Sequence, residues 1–122
     1  MRKLIAGALL AASVGAFAQT QVHIGISGVT GSAFMQWSHR SRSDYVNGLV
    51  DGMLYAPALA NANLPFLDHI EDCFVAMHPT HGQLTSIVDQ YLRTHPVLTG
   101  YEMHSLTYWS LRDACAQLGK PL

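Results

Sequence analysis

Charge is scarce in this 122-residue chain: seven Lys and Arg and eight Asp and Glu make up 12% of it, against 49% hydrophobic residues. Average usage is about 25% charged, and a chain this apolar buries enough surface to fold, which argues against disorder. Basic residues are too few to form a patch for nucleic acid. Apart from a short run near the start, no stretch approaches the roughly 20 apolar residues of a membrane-spanning helix. Cysteine is nearly absent too, with only Cys73 and Cys115. Also missing are the G-x-S-x-G elbow, the H-E-x-x-H helix, the Walker glycine loop and the dinucleotide fingerprint, so the sequence does not read as an enzyme and implies no cofactor.

What is present begins with an export signal. Met1, Arg2 and Lys3 precede an apolar run from Leu4 to Val14, and Ala16-Phe17-Ala18 supplies a small-x-small cleavage site. Residues 1–18 read as a signal peptide and residues 19–122 as one helical domain. No lipobox-like cysteine follows the run. A periplasmic location in a Gram-negative envelope fits best. About 100 residues remain, enough for one modest core. Arg40, Arg42, Arg93, Arg112 and Lys120 then face eight acidic side chains.

In an oxidising compartment two isolated cysteines read first as a disulfide, with buried free thiols or a metal role as the alternatives. Closing a loop of this length stabilises a fold by about 4 kcal/mol on the chain-entropy model.

From Thr80 to Arg93, Leu84, Ile87, Val88, Tyr91 and Leu92 recur at helical spacing. Thr80 and Gln83 form a T-x-x-Q capping box, and Pro96 predicts an end near His95. A second helix is expected from about Glu102 to Gln117. Met103, Leu106, Ser110, Ala114 and Leu118 lie near one face, Trp109 and Leu111 widen it, and Gly119 and Pro121 stop it. Upstream, Ser43 or Asp44 caps a helix carrying Tyr45, Leu49, Met53 and Ala56. Gly48 and Gly52 on the same stripe suggest close approach of another helix. Ser32 to His39 reads as a short first helix, Gln21 to Ile26 as an extended arm, Pro57 to Pro65 as a connection and Leu67 to Asp72 as one further helical turn. The expected architecture is all-α: a small irregular bundle of four to five helices with one disulfide.

Seven histidines invite a metal reading, with His78 and His81 close together, but the spacing matches no zinc motif and solvated loop histidines are the simpler account. A histidine-based pH sensor is another reading. Ser38 and His39 adjoin, yet neighbours on a helix diverge and do not make a nucleophile–base pair. Asp68, Glu71 and Asp72 read as a solvated acidic turn before Cys73, or as a partner surface. Tyr91, Tyr108 and Trp109 read as core or its margin.

The order of features resembles a family. Tyr45-Val-Asn-Gly-Leu-Val-Asp-Gly-Met comes first, then Cys73-Phe-Val-Ala-Met-His-Pro-Thr-His-Gly-Gln-Leu, then Val88-Asp-Gln-Tyr-Leu-Arg-Thr-His-Pro, then Leu111 to Cys115. This set, spanning about Phe34 to Cys115, is similar to the Rap/Tai immunity proteins. These are small exported helical proteins associated with type VI secretion, several of which neutralise peptidoglycan amidase effectors. The resemblance implies stoichiometric inhibition of a cognate toxin in the periplasm without turnover. It also implies that Cys73 and Cys115 are the pair retained. Additional N-terminal cysteines of the family are replaced here, their neighbourhoods holding Ser38, Arg42 and Ser43, and the family's final Phe-Pro-Cys becomes Asp113-Ala114-Cys115. Contact surfaces are expected at Pro57 to Pro65 and His95 to Tyr101, where loops can enter a cleft. A homodimer is compatible with so small a helical domain. Two alternative functions are a pH-responsive periplasmic chaperone and a metal-binding envelope protein.

Overall fold

A computed structural model describes residues 28–122. The expected signal peptide, residues 1–18, and the expected extended arm, Gln21 to Ile26, lie outside the described residues. Five α-helices follow in order: α1 (Gly31–Phe34), α2 (His39–Ala60), α3 (Pro65–Met77), α4 (His81–Thr94) and α5 (Met103–Gln117), with a 3-10 turn at Pro96–Leu98. No strand occurs among the described residues; a single antiparallel bridge joins Thr30 to Glu102. The fold is all-α, as the sequence predicts.

The centre is helix α4, packed between α2 and α5. Its start is the expected capping box: the Thr80 hydroxyl accepts from Gln83 N–H at 3.2 Å, and Thr80 N–H donates to Gln83 Oε1 at 2.7 Å. Both donors would otherwise be orphans of the first turn. The helix ends at Thr94, with His95 as C-cap before Pro96. Leu84, Val88, Tyr91 and Leu92 are buried, joining Phe34, Val46, Val50, Met103, Leu106 and Leu111 in one core. Buried Asp89 accepts from Arg42 at 2.8 Å, so a charged hydrogen bond fastens α2 to α4. The same guanidinium lies 5.9 Å from the centroid of the Phe34 ring.

The structure corrects several boundaries. Helix α2 is capped by Ser38, not by Ser43 or Asp44: the Ser38 backbone is extended and its hydroxyl accepts from Ser41 N–H at 3.2 Å. A competent N-cap eight residues ahead of Val46, the first buried residue of the helix, therefore takes the start. The first helix is only four residues long and does not reach His39; Thr30 caps it and the chain turns at Met35. Helix α2 also runs through Pro57 to Ala60, although Pro57 forfeits the backbone donor that would reach the Met53 carbonyl. Asn61, in the left-handed region at φ 47°, ends it. The connection thus shrinks to residues 61–64. The single turn expected at Leu67 to Asp72 is a 13-residue helix, opened by Pro65 at its first position and ended by His78 at φ 46°.

Two packing expectations also change. A side-chain carbon added at Gly48 or Gly52 would meet nothing within 4 Å, so no helix approaches there. The buried stripe of α2 is Val46 and Val50, one residue round from Tyr45 and Leu49, which are only half-buried. On α5 the buried residues are Met103, Leu106, Thr107, Ser110, Leu111 and Cys115, whereas Leu118 falls past the helix end and is exposed. The close approach is made by Gly31 instead. A Cβ there would sit 2.8 Å from Leu106 Cδ1 and 3.1 Å from both Leu92 Cδ2 and the Thr99 carbonyl.

Cys73 and Cys115 form a disulfide, with Cα atoms 5.7 Å apart and both residues fully buried. It joins α3 to the last turn of α5. Replacing both cysteines with serine should lower unfolding stability by about 3 kcal/mol. Urea denaturation would measure this, and a reductant should shift the midpoint of the unaltered protein similarly. Gly31→Ala should cost about 1–3 kcal/mol through overpacking; an unchanged midpoint would mean that α1 yields without resistance.

Candidate functional site

The second half of α2 leaves the core. After Val50 no residue of the helix is buried; Met53, Ala56 and Pro57 are half-buried and the others exposed. Tyr55 and Leu59, one turn apart on the same face, are 61% and 74% exposed, and Leu54 is exposed beside them. With residues 61–64 and the start of α3, this makes a promontory with apolar side chains at its tip. Much of the expected contact segment Pro57 to Pro65 is therefore at the surface, but its first four residues are helical.

On one flank of the promontory lies an apolar cleft of about 460 Å³. Met53 and Ala56 of α2, Phe66 and Leu67 of α3, and His104, Tyr108 and Trp109 of α5 form its walls. Phe66 meets Tyr108 edge to face with centroids 6.2 Å apart, and Trp109 is braced by Tyr101 at 5.4 Å. Such pairs fix ring orientation beyond what burial alone does. Tyr108 and Trp109 were expected at the margin of the core and are half-buried there. On the other flank, a depression of about 130 Å³ is lined by Leu54, Pro57, Leu67, Asp68 and Glu71. Asp68, Glu71 and Asp72 are exposed along α3. In the other expected contact segment, His95 to Tyr101, Val97 is 87% exposed and Tyr101 55%.

A smaller crevice of about 150 Å³ between α4 and α5 gathers Tyr91, His95, Ser110 and Asp113. These types could suggest a nucleophile and its base, but the hydrogen bonds lead elsewhere. Ser110 donates to the Thr107 carbonyl at 2.8 Å, while His95 Nδ1 sits 3.0 Å from the Tyr91 carbonyl and the Thr94 hydroxyl. His95 also stacks on Tyr91, with centroids 4.2 Å apart. The group serves to close the end of α4. Burial, reinforced by Asp113 and opposed by Arg112, raises the Tyr91 phenol above its ordinary value.

His78 is the left-handed cap of α3 and His81 opens α4. Among the described residues, no three His, Cys, Asp or Glu side chains gather as a metal site. Ser38 caps α2 and does not face His39 as a nucleophile would face a base. No described helix is long and apolar enough to cross a membrane. Leu59 falls within the expected contact segment Pro57 to Pro65, whereas the exposure of Tyr55 and the cleft were missed in the sequence. For the exposed face the signal was Tyr55 and Leu59, which lie on the opposite side of the helix from Val46 and Val50; the cleft left none.

Fold and surface together define a small all-α domain stapled by one disulfide and carrying an open apolar face. No family model, curated protein or solved structure matches the chain.

The raised Tyr91 value has a pH consequence. Because the folded state holds the phenolic proton more tightly, this contribution is intact below the unfolded pKa, about 10, and is lost as pH rises through the higher folded value. Tyr91→Phe should therefore lose less stability than the unaltered protein above about pH 10. Thermal unfolding from pH 8 to 11 measures this; parallel losses would exclude the Tyr91 contribution.

Proposed function

We propose that the protein is a periplasmic immunity protein that binds and inhibits an effector delivered by type VI secretion, a peptidoglycan amidase being the first candidate. The observation carrying this reading is the promontory. Tyr55 and Leu59 stand out from a disulfide-held frame, a shape suited to entering a cleft on another protein. Exposed apolar side chains clustered in this way mark interaction surfaces, and a few such anchors dominate binding energy. Inhibition by occlusion needs no reactive group, only a rigid projection. The Cys73–Cys115 bridge fits an oxidising compartment, where disulfides persist. The ordered motifs from Tyr45 to Cys115 supply the link to the Rap/Tai proteins.

The test is co-purification with an exported toxin encoded beside this gene, together with protection of cells that express that toxin in the periplasm. Complex formation and protection are expected; failure of both would remove the pairing. Within a complex, Tyr55→Asp and Leu59→Asp should each weaken affinity by about thirtyfold or more, the loss of a hot-spot anchor. Their unfolding midpoints should stay near that of the unaltered protein. Unchanged affinity in both variants would move the contact away from the promontory.

A further inference from the structure

The apolar cleft lies beside the point where the described chain begins. Gly31 N–H donates to the Tyr101 carbonyl at 3.0 Å, and Met103 N–H donates to the Val29 carbonyl at 2.7 Å. These bonds flank the antiparallel Thr30–Glu102 bridge. Followed backwards from Gly31 to Gly28, the chain therefore advances along the opening of α5, from Tyr101 towards His104. At Gly28 the backbone nitrogen is 3.5 Å from Glu102 Oε1, and Glu102 Oε2 is 3.3 Å from His104 Nδ1. His104 is a wall of the cleft, and Tyr108 lies one helical turn further along the same face.

We propose that the occupant of this cleft is the chain's own segment Gln21 to Ile26. Its alternation places Val22, Ile24 and Ile26 on one side of an extended chain, with His23 and Gly25 on the other. At roughly 3.3 Å per residue, Ile26 reaches about 7 Å beyond Gly28 and Val22 about 20 Å. The span from His104 to Tyr108 is only about 6 Å along the helix. Three aliphatic side chains thus meet a wall of Phe66, Tyr108 and Trp109, removing both apolar surfaces from water. The polar edge at Glu102 and His104 marks where the segment crosses into the cleft. Docking of this arm is a property of the free protein and does not depend on the effector reading.

Isoleucine makes a direct test. Beyond the leader the sequence holds only Ile24, Ile26, Ile70 and Ile87, so the exported chain labelled at isoleucine δ-methyls gives a readily assigned spectrum. Ile24→Val and Ile26→Val identify the two arm signals. Docking should give nuclear Overhauser contacts from these methyls to Tyr108 and Trp109 ring protons, with upfield ring-current shifts. Tyr108→Ala should move both signals towards free-peptide positions while the Ile87 signal stays in place. Arm methyls at free-peptide positions, or in contact with another part of the surface, would overturn the proposal. Contacts appearing only between differently labelled chains would also overturn it, assigning the cleft to a second copy. No toxin enters the experiment, so its outcome is independent of the proposed pairing.

Discussion

The attachment of α3 is the constraint on which the functional surface depends. Its buried residues are only Leu67, Ile70 and Cys73, and it packs chiefly against α5 and α2. Cys73 is therefore both a large share of its buried interface and its covalent tie to α5. Leu67, six residues ahead of Cys73, borders the apolar cleft on one side and the smaller depression beside Asp68 and Glu71 on the other. Holding Cys73 in place holds Leu67 and Phe66 in place. The promontory then has a fixed base, although its tip contributes nothing to the core.

The core itself is arranged separately. Helix α4 is pinned at one end by its capping box and in its middle by the Arg42–Asp89 pair. Partly buried charged hydrogen bonds are stronger than exposed ones because they compete less with water. The exposed Arg112–Asp113 contact has no comparable role. The molecule thus divides into a well-packed half containing α4 and the start of α2, and a thinly packed half containing the end of α2 and α3. The proposed contact surface belongs to the second half, where Tyr55 and Leu59 stand exposed and outside the core.

Helix α4 was the most legible element because its apolar face, cap and proline stop all point to the same boundaries. The disulfide was legible from two cysteines alone, and compartment chemistry sufficed to pair them. Helix α2 was misread because Ser38 and Ser43 are both acceptable caps by type, and only the extended backbone at Ser38 decides between them. The meaning of Gly48 and Gly52 was misread because spacing identifies a face but not what lies opposite it. Gly31 carries the tight approach through Leu92 and Leu106, residues far away in sequence. For the same reason the cleft was invisible: its walls come from three helices, and no local pattern records their meeting.

The bridge also changes what the covalent chain is. Residues 73–115 form a closed ring containing the end of α3, all of α4, the Pro96–Leu98 turn and nearly all of α5. Val97, the most exposed large apolar side chain among the described residues, sits within that ring. A peptidase cut at this position would open the ring without separating the pieces, so a nicked molecule keeps its helices on one continuous covalent framework. Cut there, the chain remains a single covalent molecule, and only reduction of Cys73–Cys115 releases two pieces.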